Sequence, residues 1–269
     1  MPDIFYLISK WWKQMLAVII LSLITVGIIV FLQPDKYLSV ATALPASSTS
    51  ADKARIFGNN PQELYTSFGN PDDLDRVLGT AQLDTIYLAT CDEFNLWDHY
   101  KMGEKGQAAR SKAAKLLRKN SRVIKSEYGE LKTKVWDTDK NLAPQLANTL
   151  MEKLNSIHQD IQNESNRITL KSLEQGKEKL QKQVDSAGGK LSLSRLAALS
   201  DQLQQYEKLI GEYQLIVDTR PSALIIVEKA RPSEWHDKPN RLLILTATAL
   251  LSFIFTLLLA LVMERRKKA

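Results

Sequence analysis

The chain has 269 residues, of which 44% are hydrophobic and 25% are charged, and its formal net charge is +6. The basic residues are spread over the whole sequence and do not form a clustered stripe interleaved with aromatic residues, which argues against a nucleic-acid partner. The single cysteine, Cys91, excludes an intramolecular disulfide and a cysteine-based metal cluster, so we predict a small apolar core residue there.

Two apolar runs, Met15–Leu32 and Leu242–Met263, contain no charged residue. Their 18 and 22 residues are long enough to cross a hydrocarbon core about 30 Å thick. Only 209 residues lie between them, which excludes a large polytopic transporter. The sequence therefore predicts three parts: an N-terminus with the first span (1–32), one extramembrane domain (33–241), and the second span with a short basic tail (242–269).

Basic residues next to the spans predict the orientation. Lys10 and Lys13 precede the first span, and Arg265, Arg266, Lys267 and Lys268 follow the second. Because basic residues near span ends favour the cytoplasm, we expect both termini there and the large loop on the far side. The alternative is a cleaved signal peptide, since Ala41-Thr-Ala43 has the form of a cleavage site, but the apolar run exceeds the usual length of such a peptide.

The loop between the spans shows alternating signals for strands and helices. We predict strands over residues 37–44 and 129–136 and a helix over 107–120. Asn60-Pro61 and Asn70-Pro71 each mark the start of a short helix. A last strand is predicted over residues 222–230, and it should neighbour the first strand because both adjoin a span. These segments (33–143 and 220–241) form the predicted α/β base.

A helical hairpin is predicted over residues 144–219. Its first helix, 144–187, has Leu150, Leu154, Ile157, Ile161 and Ile168 at spacings of three and four, apart from a polar step at Glu164. Gly188-Gly189 ends that helix. The second helix carries an unbroken heptad, at Leu196, Leu199, Leu203, Tyr206, Ile210, Tyr213 and Val217. The fold class is therefore α+β, with a coiled-coil hairpin projecting from the base, away from the membrane.

The sequence contains no recognisable reaction centre. It has no Walker A motif, no GxSxG motif and no zinc-ligand spacing among its three histidines, so we expect neither a catalytic residue nor a cofactor or metal. Arg110, Lys115 and Arg118, in a basic stretch, are candidates for contact with an anionic glycan, although a solvated helix face is the simpler explanation.

Surfaces for assembly are easier to identify than a chemical site. In the second span Thr248, Ser252, Thr256 and Ala260 recur every four residues, which allows another helix to approach closely unless the stripe faces lipid. The heptad helix offers a second surface. The interface candidates are Leu196, Leu203, Tyr206, Ile210, Tyr213, Ser252 and Thr256.

Three segments, read in order, carry a resemblance to a known family. Tyr37, Ser39, Ala41 and Pro45 form an aromatic-x-Ser-x-Ala segment with a trailing proline, and residues 134–157 contain a strand, an Asp turn and a Leu-Ala-x-x-Leu-Ala-Asn helix start. The third segment, Glu228-Lys229-Ala230-Arg231-Pro232 followed by Pro239-Asn240-Arg241, leads into the second span. This order resembles the polysaccharide co-polymerases, the Wzz-like chain-length determinants of O-antigen and related surface polysaccharides. The second span departs from the family, because it lacks the glycines that often occur there.

The resemblance implies a non-catalytic regulator of the short type, without the cytoplasmic tyrosine kinase of a related branch. Such proteins stand on the bacterial inner membrane as ring-like homo-oligomers with periplasmic domains. They act with a membrane polymerase that extends a lipid-linked polysaccharide, and they set its length. The alternative hypotheses are a two-pass scaffold or sensor whose hairpin binds a partner, and a membrane-anchored enzyme, for which we find no catalytic constellation.

Overall fold

The computed structural model describes residues 4–46, 73–103, 106–186 and 193–268. They form α1 (Ile4–Leu32), β1 (Lys36–Pro45), α2 (Asp73–Thr80), α3 (Asp84–Phe94), α4 (Leu96–His99), α5 (Gln107–Lys119), β2 (Ser121–Lys125), β3 (Leu131–Asp137), α6 (Leu142–Ser186), α7 (Leu193–Thr219), β4 (Leu224–Glu228), β5 (His236–Lys238) and α8 (Arg241–Lys268). The predicted α+β class with two membrane-length helices is confirmed. The helix predicted at Pro61 and the Gly188-Gly189 break lie outside the described residues.

The chain divides into two compact units. The first unit comprises residues 1–38, 136–143 and 232–269, and the second comprises 39–135 and 144–231. The apolar segments of α1 and α8, Ile8–Leu32 and Arg241–Glu264, are long and hydrophobic enough to cross a membrane. These two helices pack against each other in the first unit.

The strands form one five-stranded antiparallel sheet. Four of them follow the order β2-β3-β1-β4, and β5 pairs with β1. Leu224 pairs with Pro45, and Glu228 pairs with Thr42, so the predicted neighbours β1 and β4 are confirmed. The alternation predicted for β3 is also confirmed, because Leu131, Thr133 and Val135 are buried while the lysines between them are half-buried.

The strand β2 was not predicted, because its residues SRVIK continue a basic stretch. It forms a hairpin with β3, in which Arg122 pairs with Lys134 and Ile124 pairs with Lys132. The turn needs Gly129, whose φ of +75° lies in the left-handed region that favours glycine. The Ser126 N–H donates to the Glu130 carbonyl at 2.8 Å and closes the turn.

The helix α3 was also missed, and its start explains why. The residue before its first turn is Leu83, which makes no side-chain capping hydrogen bond, so the usual start signal is absent. Ile86, Tyr87, Thr90 and Cys91 form its buried face. The predicted core position of Cys91 is confirmed, since the residue is fully buried.

Candidate functional site

The three segments that carry the family resemblance contribute to one hydrogen-bonded cluster in the second unit. Ser39 of β1 is buried, and its hydroxyl donates to the Arg231 carbonyl at 2.9 Å. Asn148 of α6 binds the neighbouring residue at both polar groups: its Oδ1 accepts from the Ala230 N–H at 2.8 Å, and its Nδ2 donates to the Ala230 carbonyl at 3.3 Å. We call Ser39, Asn148, Ala230 and Arg231 the motif cluster.

Small side chains in β1 allow this close packing. Ala41 and Ala43 are fully buried, and Pro45 at the end of the strand is buried as well. In the first unit, Tyr37 pairs with His236 of β5. Pro232 is exposed and Pro239 is buried in that same unit.

A second amide side chain of α6 holds the start of β4. Asn155 Oδ1 accepts hydrogen bonds from the Ala223 N–H at 3.0 Å and the Leu224 N–H at 2.9 Å. The Ser222 hydroxyl lies 3.1 Å from the same oxygen and 2.8 Å from the Leu224 carbonyl. Ala223 and Leu224 are 8% and 2% exposed, so water has little access to replace the amide oxygen. Asn148 and Asn155 are seven residues apart, two helical turns, and therefore lie on the same face of α6.

The candidate glycan-binding cations of α5 lie beside α3. Arg110 donates from Nε and Nη2 to the Asp92 carboxylate, at 2.6 and 2.5 Å. Arg118 donates to Asp84 at 2.7 Å, while Lys115 is exposed. The hydrogen bonds from Arg110 hold the pKa of Asp92 below its usual value. Two of the three cations are therefore engaged by carboxylates, as expected of a solvated, ion-paired helix face, and the glycan contact stays a prediction.

His158 of α6 is half-buried and contacts α2. Its Nε2 lies 2.6 Å from the Thr80 hydroxyl, which donates its own proton to the Val77 carbonyl at 2.8 Å. Burial lowers the pKa of His158. In the described residues no group of three or more His, Cys, Asp or Glu side chains is placed to hold a metal ion.

The predicted pairing of α6 with α7 is confirmed, and the α7 heptad forms its contact face. Leu203, Tyr206, Ile210 and Tyr213 are half-buried, whereas Leu196 is 45% exposed. The Tyr206 ring packs over Gly176, where a Cβ atom would lie only 2.9 Å from Cε1 of the ring. Lys177 donates to Glu207 at 2.8 Å beside it.

The contact face of α6 differs from the predicted stripe beyond Ile157. Ile161 and Ile168 are 54% and 63% exposed. The covered positions run instead through a second heptad, in which every residue is buried or half-buried: Asn163, Asn166, Leu170, Leu173, Lys177, Leu180 and Val184. This heptad was not predicted, because several of its residues are polar and the prediction was based on apolar spacing. The polar step at Glu164 is thereby explained, because Glu164 lies on the exposed side with Ile161 and Ile168.

The small-residue stripe of α8 faces α1 of the same chain. Thr256 and Ala260 are each 4% exposed, and Ser252 is half-buried. The helix α1, which packs against α8, also has buried residues, namely Met15 and Val30 at 5% and 3% exposure. The stripe therefore admits a close helix and does not face lipid, but that helix is the first span. An interface between copies stays a prediction, both for the α7 residues and for Ser252 and Thr256.

Comparison with solved structures found similarity to polysaccharide co-polymerases at low sequence identity. A full-length bacterial polysaccharide co-polymerase is 12% identical and has a TM-score of 0.41, with 100% of this chain and 98% of that chain covered. A fragment of WzzB, a polysaccharide co-polymerase from Salmonella Typhimurium, is 12% identical with a TM-score of 0.37, over 76% of this chain and 100% of that fragment. No protein-family model and no curated protein matched the sequence.

Proposed function

We propose that the chain is a non-catalytic regulator of polysaccharide chain length in a bacterial inner membrane. The observation that carries the proposal is the motif cluster, in which segments of the family resemblance that are more than 80 residues apart bind one another at 2.8–3.3 Å. A resemblance limited to unrelated short motifs would give no reason for these segments to meet. The polymer is O-antigen or a related surface polysaccharide, extended on a lipid carrier by a separate membrane polymerase.

The proposed topology follows from the spans and the charges beside them. Residues 33–241 lie in the periplasm, and both ends of the described chain lie at the cytoplasmic face. At that face Lys10 of α1 donates to the Glu264 carboxylate of α8 at 2.8 Å, which pairs the two spans. Glu264 is only 3% exposed, so the ion pair offsets the cost of placing its charge at the end of a span.

Assembly into a ring-like homo-oligomer is the second part of the proposal. The paired helices leave several large apolar side chains uncovered: Ile161, Ile168, Leu196, Leu209 and Leu215, with exposures from 40% to 63%. Exposed apolar positions spread along a helix pair favour contact with further copies. A ring would then present many periplasmic domains to one polymerase and its lipid-linked product.

Two measurements test the proposal. The mass of the detergent-solubilised full-length protein, corrected for bound detergent, should correspond to one discrete large oligomer. Deletion of the gene should remove the modal length distribution from the surface polysaccharide. A stable monomer or dimer together with an unchanged glycan ladder would contradict the proposal and favour the two-pass scaffold.

A further inference from the structure

The β2–β3 hairpin carries positive charge on the face that points away from the core. Alternate residues of β3 are buried, so Lys132 and Lys134, which lie between them, project from the opposite face. Their partners across the hairpin are Ile124 and Arg122, and directly opposed residues project from the same side of a strand pair. We call Arg122, Ile124, Lys132 and Lys134 the basic hairpin face.

Arg122 and Lys134 oppose each other without an acid to balance them. Residues in this relation have Cβ atoms about 5 Å apart, and like charges there repel. In the described part of the chain neither side chain forms an ion pair or a hydrogen bond. Arg122 is exposed and Lys134 is half-buried, so a ligand can reach both. They therefore differ from Arg110 and Arg118 of α5, which carboxylates already engage.

The acid next to Lys132 does not compensate this pair. Glu130 accepts from Lys132 Nζ at 2.8 Å and from the Ser126 hydroxyl at 3.1 Å. These hydrogen bonds, that from Lys132 first, hold the pKa of Glu130 below its usual value. Glu130 therefore balances Lys132, and the charges of Arg122 and Lys134 are left for another anion.

An aromatic ring lies at the tip of the hairpin. Tyr128 is 86% exposed, so its ring contributes little to packing. Two hydrogen bonds hold the turn that carries it, from the Gly129 N–H to the Ser126 carbonyl at 3.1 Å and from the Glu130 N–H to the Ser126 hydroxyl at 3.2 Å. Tyrosine offers a flat apolar surface with a hydroxyl at its edge, and few rotatable bonds become ordered when it binds.

These groups fit a ligand that combines carboxylates with rings. Guanidinium and ammonium groups form strong hydrogen bonds with carboxylates, and the flat side of a sugar ring can lie against Tyr128. A protein partner fits less well, because stable protein interfaces bury about 1,200–2,000 Å² around an apolar centre. The basic hairpin face exposes one aliphatic side chain, Ile124, at 37%.

We propose that the basic hairpin face and Tyr128 bind an acidic polysaccharide. Its carboxylates accept from Arg122 and Lys134, and a sugar ring of the same chain lies against Tyr128. The site rests on the proposed function for the presence of a polysaccharide beside residues 33–241. Its test measures binding to the purified protein and not chain length, so its failure and the failure of the glycan ladder test are distinguishable.

Isothermal titration calorimetry of the full-length protein in an uncharged detergent tests the site, with oligogalacturonate as the probe and a maltooligosaccharide of equal length as the neutral comparison. Oligogalacturonate should bind more tightly, and its binding should weaken as salt is added. Arg122→Gln with Lys134→Gln should weaken it by about tenfold, roughly threefold for each exposed ion pair. The matched control, Arg195→Gln with Lys208→Gln, removes an exposed arginine and an exposed lysine of α7 and should bind as the wild type does.

Further variants separate loss of binding from loss of folding. Arg122→Gln with Lys134→Gln should keep the wild-type Tm, because both side chains lie outside the core. Arg122→Lys with Lys134→Arg keeps both charges and should retain binding. Glu127→Gln removes the exposed acid beside Tyr128 and should strengthen binding.

The nature of the ligand is tested with polyaspartate as a second probe. Tyr128→Ala should weaken the binding of oligogalacturonate and leave that of polyaspartate unchanged. Equal loss in the hairpin variant and the control variant would overturn the proposal. If polyaspartate binds as tightly as oligogalacturonate and Tyr128→Ala weakens neither, the face binds an acidic protein segment, and the proposal is overturned as well.

Discussion

Replacement of Asn155 by alanine should destabilise the second unit strongly. The substitution removes the oxygen that accepts from the N–H groups of Ala223 and Leu224 at 3.0 and 2.9 Å. Both residues are buried, and an unpaired buried donor costs about 1–3 kcal/mol. We expect a loss of about 2–4 kcal/mol in the free energy of unfolding, since the two groups lie at the start of an edge strand.

The measurement is the thermal unfolding of the full-length protein in detergent, followed by tryptophan fluorescence. A domain of 150–250 residues loses about 2–4 °C in Tm per kcal/mol, so the expected decrease is about 4–16 °C. Trp97 is half-buried in the same unit and reports its unfolding.

Two control variants separate the loss of the buried acceptor from other effects of the substitution, namely a change in helix propensity and the loss of an amide side chain. Asn155→Asp keeps an acceptor oxygen and should stay within about 1 kcal/mol of the wild type. Gln159→Ala removes an exposed hydrogen bond to the Arg220 carbonyl, four residues along the same helix, and should cost less than about 0.5 kcal/mol. Equal effects of Asn155→Ala and Gln159→Ala would refute the reasoning.

Three further predictions concern the helices. Burial lowers the pKa of His158 below its usual 6.5. The unfolded chain therefore binds more protons than the folded chain, and stability falls as the pH drops through 6.5 and below. His158→Gln should flatten that part of the curve of Tm against pH. Ile161→Gln with Ile168→Gln should lower the oligomer mass in light scattering while Tm is retained, because both side chains are exposed in the single chain. The effect of Gly176→Ala on the free energy of unfolding should be more favourable in a Tyr206→Ala background than in the wild type, by at least about 0.5 kcal/mol. Without the Tyr206 ring the new methyl group meets no clash, and alanine has the higher helix propensity. A double-mutant cycle of unfolding measures this difference.

Each of these has a matched comparison. His236→Gln replaces an exposed histidine and should leave the pH dependence unchanged. Glu164→Gln changes the same side of α6 as the two isoleucines and should preserve the oligomer. A wild-type mass for the isoleucine variant would exclude that face as an interface, and additive effects of Gly176 and Tyr206 would show that the ring and the glycine do not interact.

Patterns that repeat along one element predicted much of the fold. The apolar runs predicted both spans, the alternation at Leu131, Thr133 and Val135 predicted β3, and the heptad through Leu203 and Ile210 predicted the contact face of α7. In each of these the physical requirement, burial of one side of a helix or strand or the length of a bilayer crossing, acts directly on neighbouring residues.

Features that depend on distant partners were not predictable in this way. The contact face of α6 includes Asn163 and Lys177. These residues lie there because α7 packs against them, and their own side chains are polar. The roles of Asn148 and Asn155 depend on backbone groups about 70–80 residues away. The α8 stripe predicted a close helix, but a sequence pattern of small residues does not specify whether that helix belongs to the same chain or to another copy.

The length distribution of the surface polysaccharide tests the central claim most directly. We would compare, on one gel, the parent strain, a strain lacking the gene, and the deletion strain carrying the wild-type gene on a plasmid. The account predicts a modal cluster of lengths in the first and third strains and an unregulated distribution in the second. The same distribution in all three strains would contradict it.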